Sequence, residues 1–169
     1  GHNWASEWRR TDRSFATLNA VLVERIVAKA PPAARILDIG CGAGATSFAL
    51  AERLPQASII GIDLSPALIA AATARNHGRQ VRFALQDATL WDGGAWQPDL
   101  LVSRHGVMFF DDPVATFSHL ARVATPGAQL IFSCFRDRAE NEWVQKIMAL
   151  LPDAPTPAPH ASGPFAFAD

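Results

Sequence analysis

The stretch Ile36-Leu37-Asp38-Ile39-Gly40-Cys41-Gly42-Ala43-Gly44 constrains the fold more than any other part of the chain. An apolar run broken by a single carboxylate passes directly into alternating glycines. Glycine tolerates positive φ and, lacking a Cβ, lets the backbone come close to a ligand, so such a run belongs to a strand, a tight turn and a helix start. A strand that hands the chain to a helix needs a parallel neighbour, because parallel strands are joined by crossovers that are usually helical.

The rest of the sequence supplies those partners. Phe15, Leu18, Leu22, Ile26 and Ala30 recur at helical spacing over 14–30, and Pro31-Pro32 stops that helix. Strands are expected over 35–39, 58–62, 81–85, 99–103 and 128–133, and helices over 45–54, from Ser65-Pro66 to near Gly78, from Asp112-Pro113 to about Ala124, and over 138–151. The expected fold class is α/β, a Rossmann-like doubly wound and mostly parallel sheet. Residues 1–151 read as one core, while 152–169 read as a proline-rich connection that ends on Phe165-Ala166-Phe167-Ala168-Asp169, as if a further part began there. The fifth strand would then be an exposed edge, and a homodimer is one candidate way to cover it.

Composition removes several function classes. Lys plus Arg total 15 against 16 Asp plus Glu, so no positive surplus exists to hold a nucleic acid through its phosphates. Apolar runs fall short of the ~20 residues that span a bilayer. The two cysteines, Cys41 and Cys134, lack zinc spacing and disulfide density, and a reducing cytoplasm is the expected compartment. The opening Gly1-His2 is set aside as a cloning remnant.

Three carboxylates narrow the ligand. Asp38 lies two residues before Gly40, where it would repel the pyrophosphate of a dinucleotide and attract a ligand carrying a sulfonium and an α-ammonium. Asp63 ends the second strand 23 residues after Gly40, the place where α/β nucleoside sites receive ribose hydroxyls, and it can equally serve the following turn. Asp87, in Gln86-Asp87-Ala88, follows the third strand and is a candidate acceptor for an adenine amino group. NAD is the competing cofactor, since Gly40, Gly42 and Ala45 also satisfy a loose dinucleotide fingerprint.

Taken together, these segments resemble the class I S-adenosylmethionine-dependent methyltransferases. Residues 36–44 look like their first motif, and Gly61-Ile62-Asp63-Leu64-Ser65, Gln86-Asp87-Ala88, Pro98-Asp99-Leu100-Leu101-Val102-Ser103 and Val123-Ala124-Thr125-Pro126-Gly127-Ala128 look like later ones. The flavour is similar to small-molecule C-methyltransferases of ubiquinone and menaquinone biosynthesis. The resemblance implies S-adenosylmethionine as cofactor, with S-adenosylhomocysteine as product, bound by Asp38, Gly40, Cys41, Gly42, Gly44, Asp63, Leu64, Asp87, Ala88, Ser103 and Arg104. It further implies a small-molecule methyl acceptor, no metal, and a seven-stranded sheet of which this sequence supplies five strands. A chain that binds the cofactor without turning it over is the alternative.

Methyl transfer is an in-line displacement whose thioether leaving group needs no acid, whereas carbon acids and hydroxyls need a base. His105, after the fourth strand, is the base candidate, with an ordinary pKa near ~6.5. Arg104 is a candidate partner for a carboxylate, or else pairs with Asp111 or Asp112. Trp4 and Trp8 are candidates for a lid or for a hydrophobic anchor of the first helix, and Met108-Phe109-Phe110 for an acceptor pocket.

Overall fold

The computed structural model describes residues 6–78, 80–151, 158 and 161–168. Five strands form one parallel sheet: β1 Arg35–Ile39, β2 Ser58–Asp63, β3 Val81–Leu85, β4 Leu100–Arg104 and β5 Gln129–Ser133, in the order β3-β2-β1-β4-β5. The chain builds outward from β1 to β3 and returns to place β4 on the other side of β1. The switch point therefore lies between β1 and β4, and ligands of open α/β sheets favour the carboxyl edge at such a point.

Side chains alternate across the sheet. Ile36, Ile59, Leu100 and Val102 are buried with Leu22, Val23 and Ile26 of α2 (Ala16–Val27) and Phe48 and Leu50 of α3 (Ala45–Arg53). Leu37, Ile39, Ile62 and Leu101 face the opposite side, with Trp91, Val107 and Leu120, the last on α5 (Pro113–Val123). Each of these large aliphatic side chains contributes roughly 1.5–3 kcal/mol when fully buried. Asp38 shares the face of Ile36, so its carboxylate enters the layer between the sheet and α3.

Helix ends follow the sequence signals. Ser65 caps α4 (Pro66–Arg75), its Oγ accepting from the Leu68 amide, and Asp112 caps α5 through the Ala115 amide. Three expectations shift. The helix read over 14–30 is α2 preceded by a separate short α1 (Trp8–Ser14), with Phe15 at the junction. The helix expected to run to Gly78 ends at Arg75. The last helix is a single 3-10 turn over Arg138–Glu140 followed by α6 (Glu142–Leu150), because Asn141 between them turns extended.

The segment 161–168 returns to the sheet: Phe167 packs on Phe117 and Phe132, Phe165 on Phe135 and Trp143, and the Gly163 amide donates to the Met108 carbonyl at 2.9 Å. Most of 152–160, together with Trp4 and Asp169, lies outside the described residues. Among the described residues no helix is long and apolar enough to cross a membrane, and no group of His, Cys, Asp and Glu has the makings of a metal site.

Candidate cofactor site at the carboxyl edge of the sheet

Gly40, Gly42 and Gly44 have φ values of 67°, 57° and 86°, so the loop after β1 uses a left-handed backbone at every second residue. Each of the three glycines answers to something different. A Cβ on Gly40 would stand 2.9 Å from the Gly106 Cα, because the β1 and β4 loops touch there. One on Gly44 would strike the rings of Phe48 and Phe83 at 2.8 Å. One on Gly42 would meet nothing within 4 Å among the described residues, so the middle of the loop faces open space there.

Side chains from neighbouring strands hold the loop. One Asp63 oxygen accepts from the Gly42 amide at 2.9 Å and the other from the Ser65 amide at 2.8 Å. Asp63 thus does the turn work the sequence allowed for, and it also fixes the glycine loop. Ser103, buried at the end of β4, donates to the Ile39 carbonyl at 2.7 Å and accepts from the amides of Gly106 and Val107. That hydroxyl is fully spent on joining the two loops.

Asp38 is 1% exposed and accepts from Ser47 Oγ at 2.6 Å. Burial pushes its carboxyl up to about 6, against the opposing pull of Ser47 and Arg104. A carboxylate so placed gains from any cation brought to it. Cys41 is buried beside it, and desolvation, with Asp38 and Asp63 adding to it, raises its thiol, making it an unreactive wall. Leu64 is exposed at the rim, Ala88 is buried under the loop after β3, and Asp87 closes that loop on itself through the amide and hydroxyl of Thr89, both at 2.8 Å.

Arg104 pairs with neither Asp111 nor Asp112. Its side chain is 13% exposed and reaches Asp12 of α1 at 3.4 Å, while its Nη1 is buried without a hydrogen-bond partner among the described residues. Arg75, from the end of α4, meets the other Asp12 oxygen at 3.1 Å, donates to the Ala43 carbonyl of the glycine loop, and lies 3.9 Å from the Trp8 ring centroid. Trp8 therefore anchors α1 on Arg75. A cavity of about 550 Å³ opens among these groups, lined by Asp12, Asn19, Ala45, Arg75, His77 and Arg104 among others. It meets the glycine loop at Ala45, and its lining takes in neither Asp63 nor Asp87.

His105 has φ 62° and is wedged between aromatic rings, stacked on Phe135 at 4.4 Å and edge-on to Phe15 at 4.9 Å. Burial first, and the Arg104 charge second, depress its pKa to about 4, well under the value expected of a free imidazole. Met108 is buried under the sheet edge and Phe109 is half exposed, so that triplet is divided between core and surface.

Residues 36–127 match the family model described as a methyltransferase domain. The chain belongs to that family, the class I S-adenosylmethionine-dependent methyltransferases. Among its relatives, the trans-aconitate 2-methyltransferase of Variovorax paradoxus is 32% identical over 129 residues, 76% of this chain and 49% of that protein. The malonyl-[acyl-carrier protein] O-methyltransferase of a Paenibacillus species is 36% identical over 106 residues, covering 60% and 38%. Among solved structures, the S-adenosylmethionine-bound amino pentose methyltransferase CalS10 of Micromonospora echinaspora superposes with a TM-score of 0.60 at 30% identity, over 75% of this chain and 53% of that one. This methyltransferase chain spans about half the length, or less, of the curated relatives it matches.

Most of the site residues expected from sequence gather at this edge: Asp38, Asp63, Ser103 and Arg104 lie in the carboxyl ends of β1, β2 and β4, and Gly40, Cys41, Gly42 and Gly44 in the loop after β1. Sequence reasoning missed Ser47, Asp12 and Arg75. Asp12 carried a faint signal, since it stands four residues after Trp8 and thus on the same helix face. Arg75 carried none, because a basic residue at a helix C-terminus is ordinary.

Proposed function

We propose that this chain forms the cofactor-binding part of an enzyme that moves a methyl group from S-adenosylmethionine to a small-molecule acceptor. The observation that carries the proposal is the buried Asp38 carboxylate under a glycine loop whose middle residue, Gly42, faces open space. An α-ammonium or sulfonium held there replaces the solvation that Asp38 lost on folding. A pyrophosphate would meet two carboxylates, Asp38 and Asp63, which counts against NAD.

In this reading Gly40, Cys41, Gly42 and Gly44 give backbone access and Asp63 receives ribose hydroxyls beside Leu64. Asp87 and Ala88 flank the adenine, Ser103 keeps the β1 and β4 loops in register, and Arg104 faces a carboxylate. The cofactor supplies a methyl group already activated on sulfur. The protein's part is to orient it, exclude water and leave an in-line path for the acceptor.

With its pKa depressed to about 4, His105 is neutral at working pH and a weak proton acceptor, which favours an acceptor that arrives already nucleophilic. Carboxylates satisfy that condition, and the two relatives named above act on trans-aconitate and malonyl-acyl carrier protein, both of which carry them. Binding without turnover is the second reading, favoured by the same weakness of His105 as a base.

The reading extends to a cytoplasmic location, to 1–151 as the cofactor core with 152–169 as a proline-rich connection whose Phe165 and Phe167 pack back on it, and to a homodimer through β5, whose Leu130 and Phe132 are half exposed. Calorimetric titration with S-adenosylmethionine, S-adenosylhomocysteine and NAD tests the core of it. Micromolar binding of the first two and none of NAD is expected, and the reverse order would overturn it. A panel of carboxylate acceptors then separates enzyme from binder.

A further inference from the structure

Two guanidinium groups and one carboxylate meet at the cavity beside the glycine loop, and the carboxylate comes from α1. α1 is seven residues long and buries none of them. Asp12 on that helix spans Arg75 at 3.1 Å and Arg104 at 3.4 Å, one oxygen to each. The arrangement satisfies Arg75 better than Arg104. Arg104 retains a buried Nη1 with no acceptor among the described residues, although five donors in a planar fork suit a carboxylate held by two parallel bonds. Arg75 spends the same Nη1 on Asp12 and on the Ala43 carbonyl.

We propose that Arg75 and Arg104 form a carboxylate-binding site that Asp12 occupies from within the chain, and that a ligand's carboxylate enters by displacing Asp12 and the α1 turn that carries it. The exchange conserves charge, since one carboxylate leaves as another arrives. It improves the hydrogen bonding, because a small ligand in the adjoining space is free to orient toward the Arg104 fork, whereas Asp12 is tethered. Glu52, the other carboxylate of the lining, sits on α3 and stays in place.

The carboxylate has two possible sources, the amino-acid end of the cofactor or an acidic acceptor, and the first of these rests on the methyl-transfer reading. An internal competitor lowers apparent affinity by the fraction of time it holds the site, so a nine-tenths occupancy by Asp12 masks about tenfold.

The test is calorimetric titration of the parental chain, Asp12→Asn and Arg75→Gln with three probes: S-adenosylhomocysteine, 5′-methylthioadenosine, which keeps the nucleoside and lacks the amino-acid end, and citrate as a plain tricarboxylate. Asp12→Asn is expected to tighten S-adenosylhomocysteine, citrate or both by about tenfold while leaving 5′-methylthioadenosine unchanged, and Arg75→Gln to weaken the same ligand. Which probe responds identifies the source. Hydrogen exchange over residues 8–14 should rise when that probe binds.

Equal or weaker binding of both carboxylate probes by Asp12→Asn overturns the proposal, as does equal tightening of 5′-methylthioadenosine, which would make Asp12 a simple cover. So does failure of both carboxylate probes to bind any variant. If citrate shows the pattern and S-adenosylhomocysteine never binds, the carboxylate site stands and the methyl-donor reading falls. Should Arg75→Gln lose its cooperative melting, the sign of the Asp12→Asn effect still decides.

Discussion

The two walls of the glycine loop are built on opposite plans. On the inner wall, Ser47 completes Asp38, Ser103 spends its hydroxyl on both loops, and Gly40 touches Gly106. On the outer wall, Asp12 is shared between Arg75 and Arg104, a buried Arg104 nitrogen has no acceptor among the described residues, and the helix that closes the wall buries none of its residues. The difference separates two jobs. Satisfied hydrogen bonds in a packed interior fix a geometry, whereas unmet donors beside a loosely held element leave room for exchange with something from solution.

The largest effect should come from breaking the inner wall at its tightest point. Gly40→Ala places a methyl group 2.9 Å from the Gly106 Cα at φ 67°, against backbone, so no flexible side chain can move aside to relieve the clash. We expect a loss of about 3 kcal/mol or more, read as a fall in the urea midpoint. Gly42→Val, with the same kind of φ and open space around it, should cost about 1–2 kcal/mol in stability and yet abolish cofactor binding. Equal stability losses at the two glycines would erase the distinction between them.

Next comes Asp38, where the inner wall holds a charge at a cost. Its carboxyl is raised from 3.8 to about 6 by burial, so between pH 4 and 6 the folded chain keeps a proton that the unfolded chain has released. Stability from this group is therefore present at low pH and is lost as pH rises through that window, by about 3 kcal/mol in all. Other carboxylates act in the opposite sense, Asp99 among them, because its bonds to Arg35 lower its pKa. The informative quantity is thus the difference between parental and Asp38→Asn midpoints at pH 4, 5, 6 and 7. It should move steadily toward the variant across the window, while the variant binds S-adenosylhomocysteine more weakly at pH 7. A flat difference would mean that Asp38 is not buried as charged.

Most of the inner wall is legible in the sequence, Ser47 excepted, and of the outer wall only Arg104 is, for a physical reason. Glycine spacing, strand periodicity and the acidic residue inside an apolar run are local, and each has one cheap explanation. Thus the sequence pattern singles out Asp38, Gly40, Gly42, Gly44 and Asp63, and it sets all five strands within a residue of their observed ends. Asp12, Arg75 and Arg104 come from α1, α4 and β4, and their meeting is a product of tertiary packing that no spacing encodes. The same holds for His105. Its residue type suggests a base, but its pKa was set by Phe15 and Phe135, which bury it from distant parts of the chain, and by adjacent Arg104.

Asp63 tests whether one side chain serves both fixing and binding. Asp63→Ala removes acceptors from the Gly42 and Ser65 amides, and a loss of about 1–3 kcal/mol in stability should accompany weaker S-adenosylhomocysteine binding. Asp63→Asn keeps one carbonyl acceptor and should recover much of the stability but little of the affinity. A folded Asp63→Ala chain with parental affinity would remove Asp63 from the ribose site and leave it as a loop anchor alone.

The smallest effect is expected at His105, although chemistry alone would have ranked it first. Replacing it by Asn keeps a residue that tolerates φ 62° and removes two ring contacts, each worth roughly 0.5–1.5 kcal/mol. Because the imidazole is neutral down to about pH 4, no step in a rate profile between pH 5 and 8 should belong to it. Methyl transfer to a carboxylate acceptor should consequently fall by less than about tenfold in His105→Asn, against the roughly 10²–10⁴-fold loss that removal of a general base produces. A loss in that larger range, with an inflection near neutrality that disappears in the variant, would show that bound acceptor restores the proton affinity of His105.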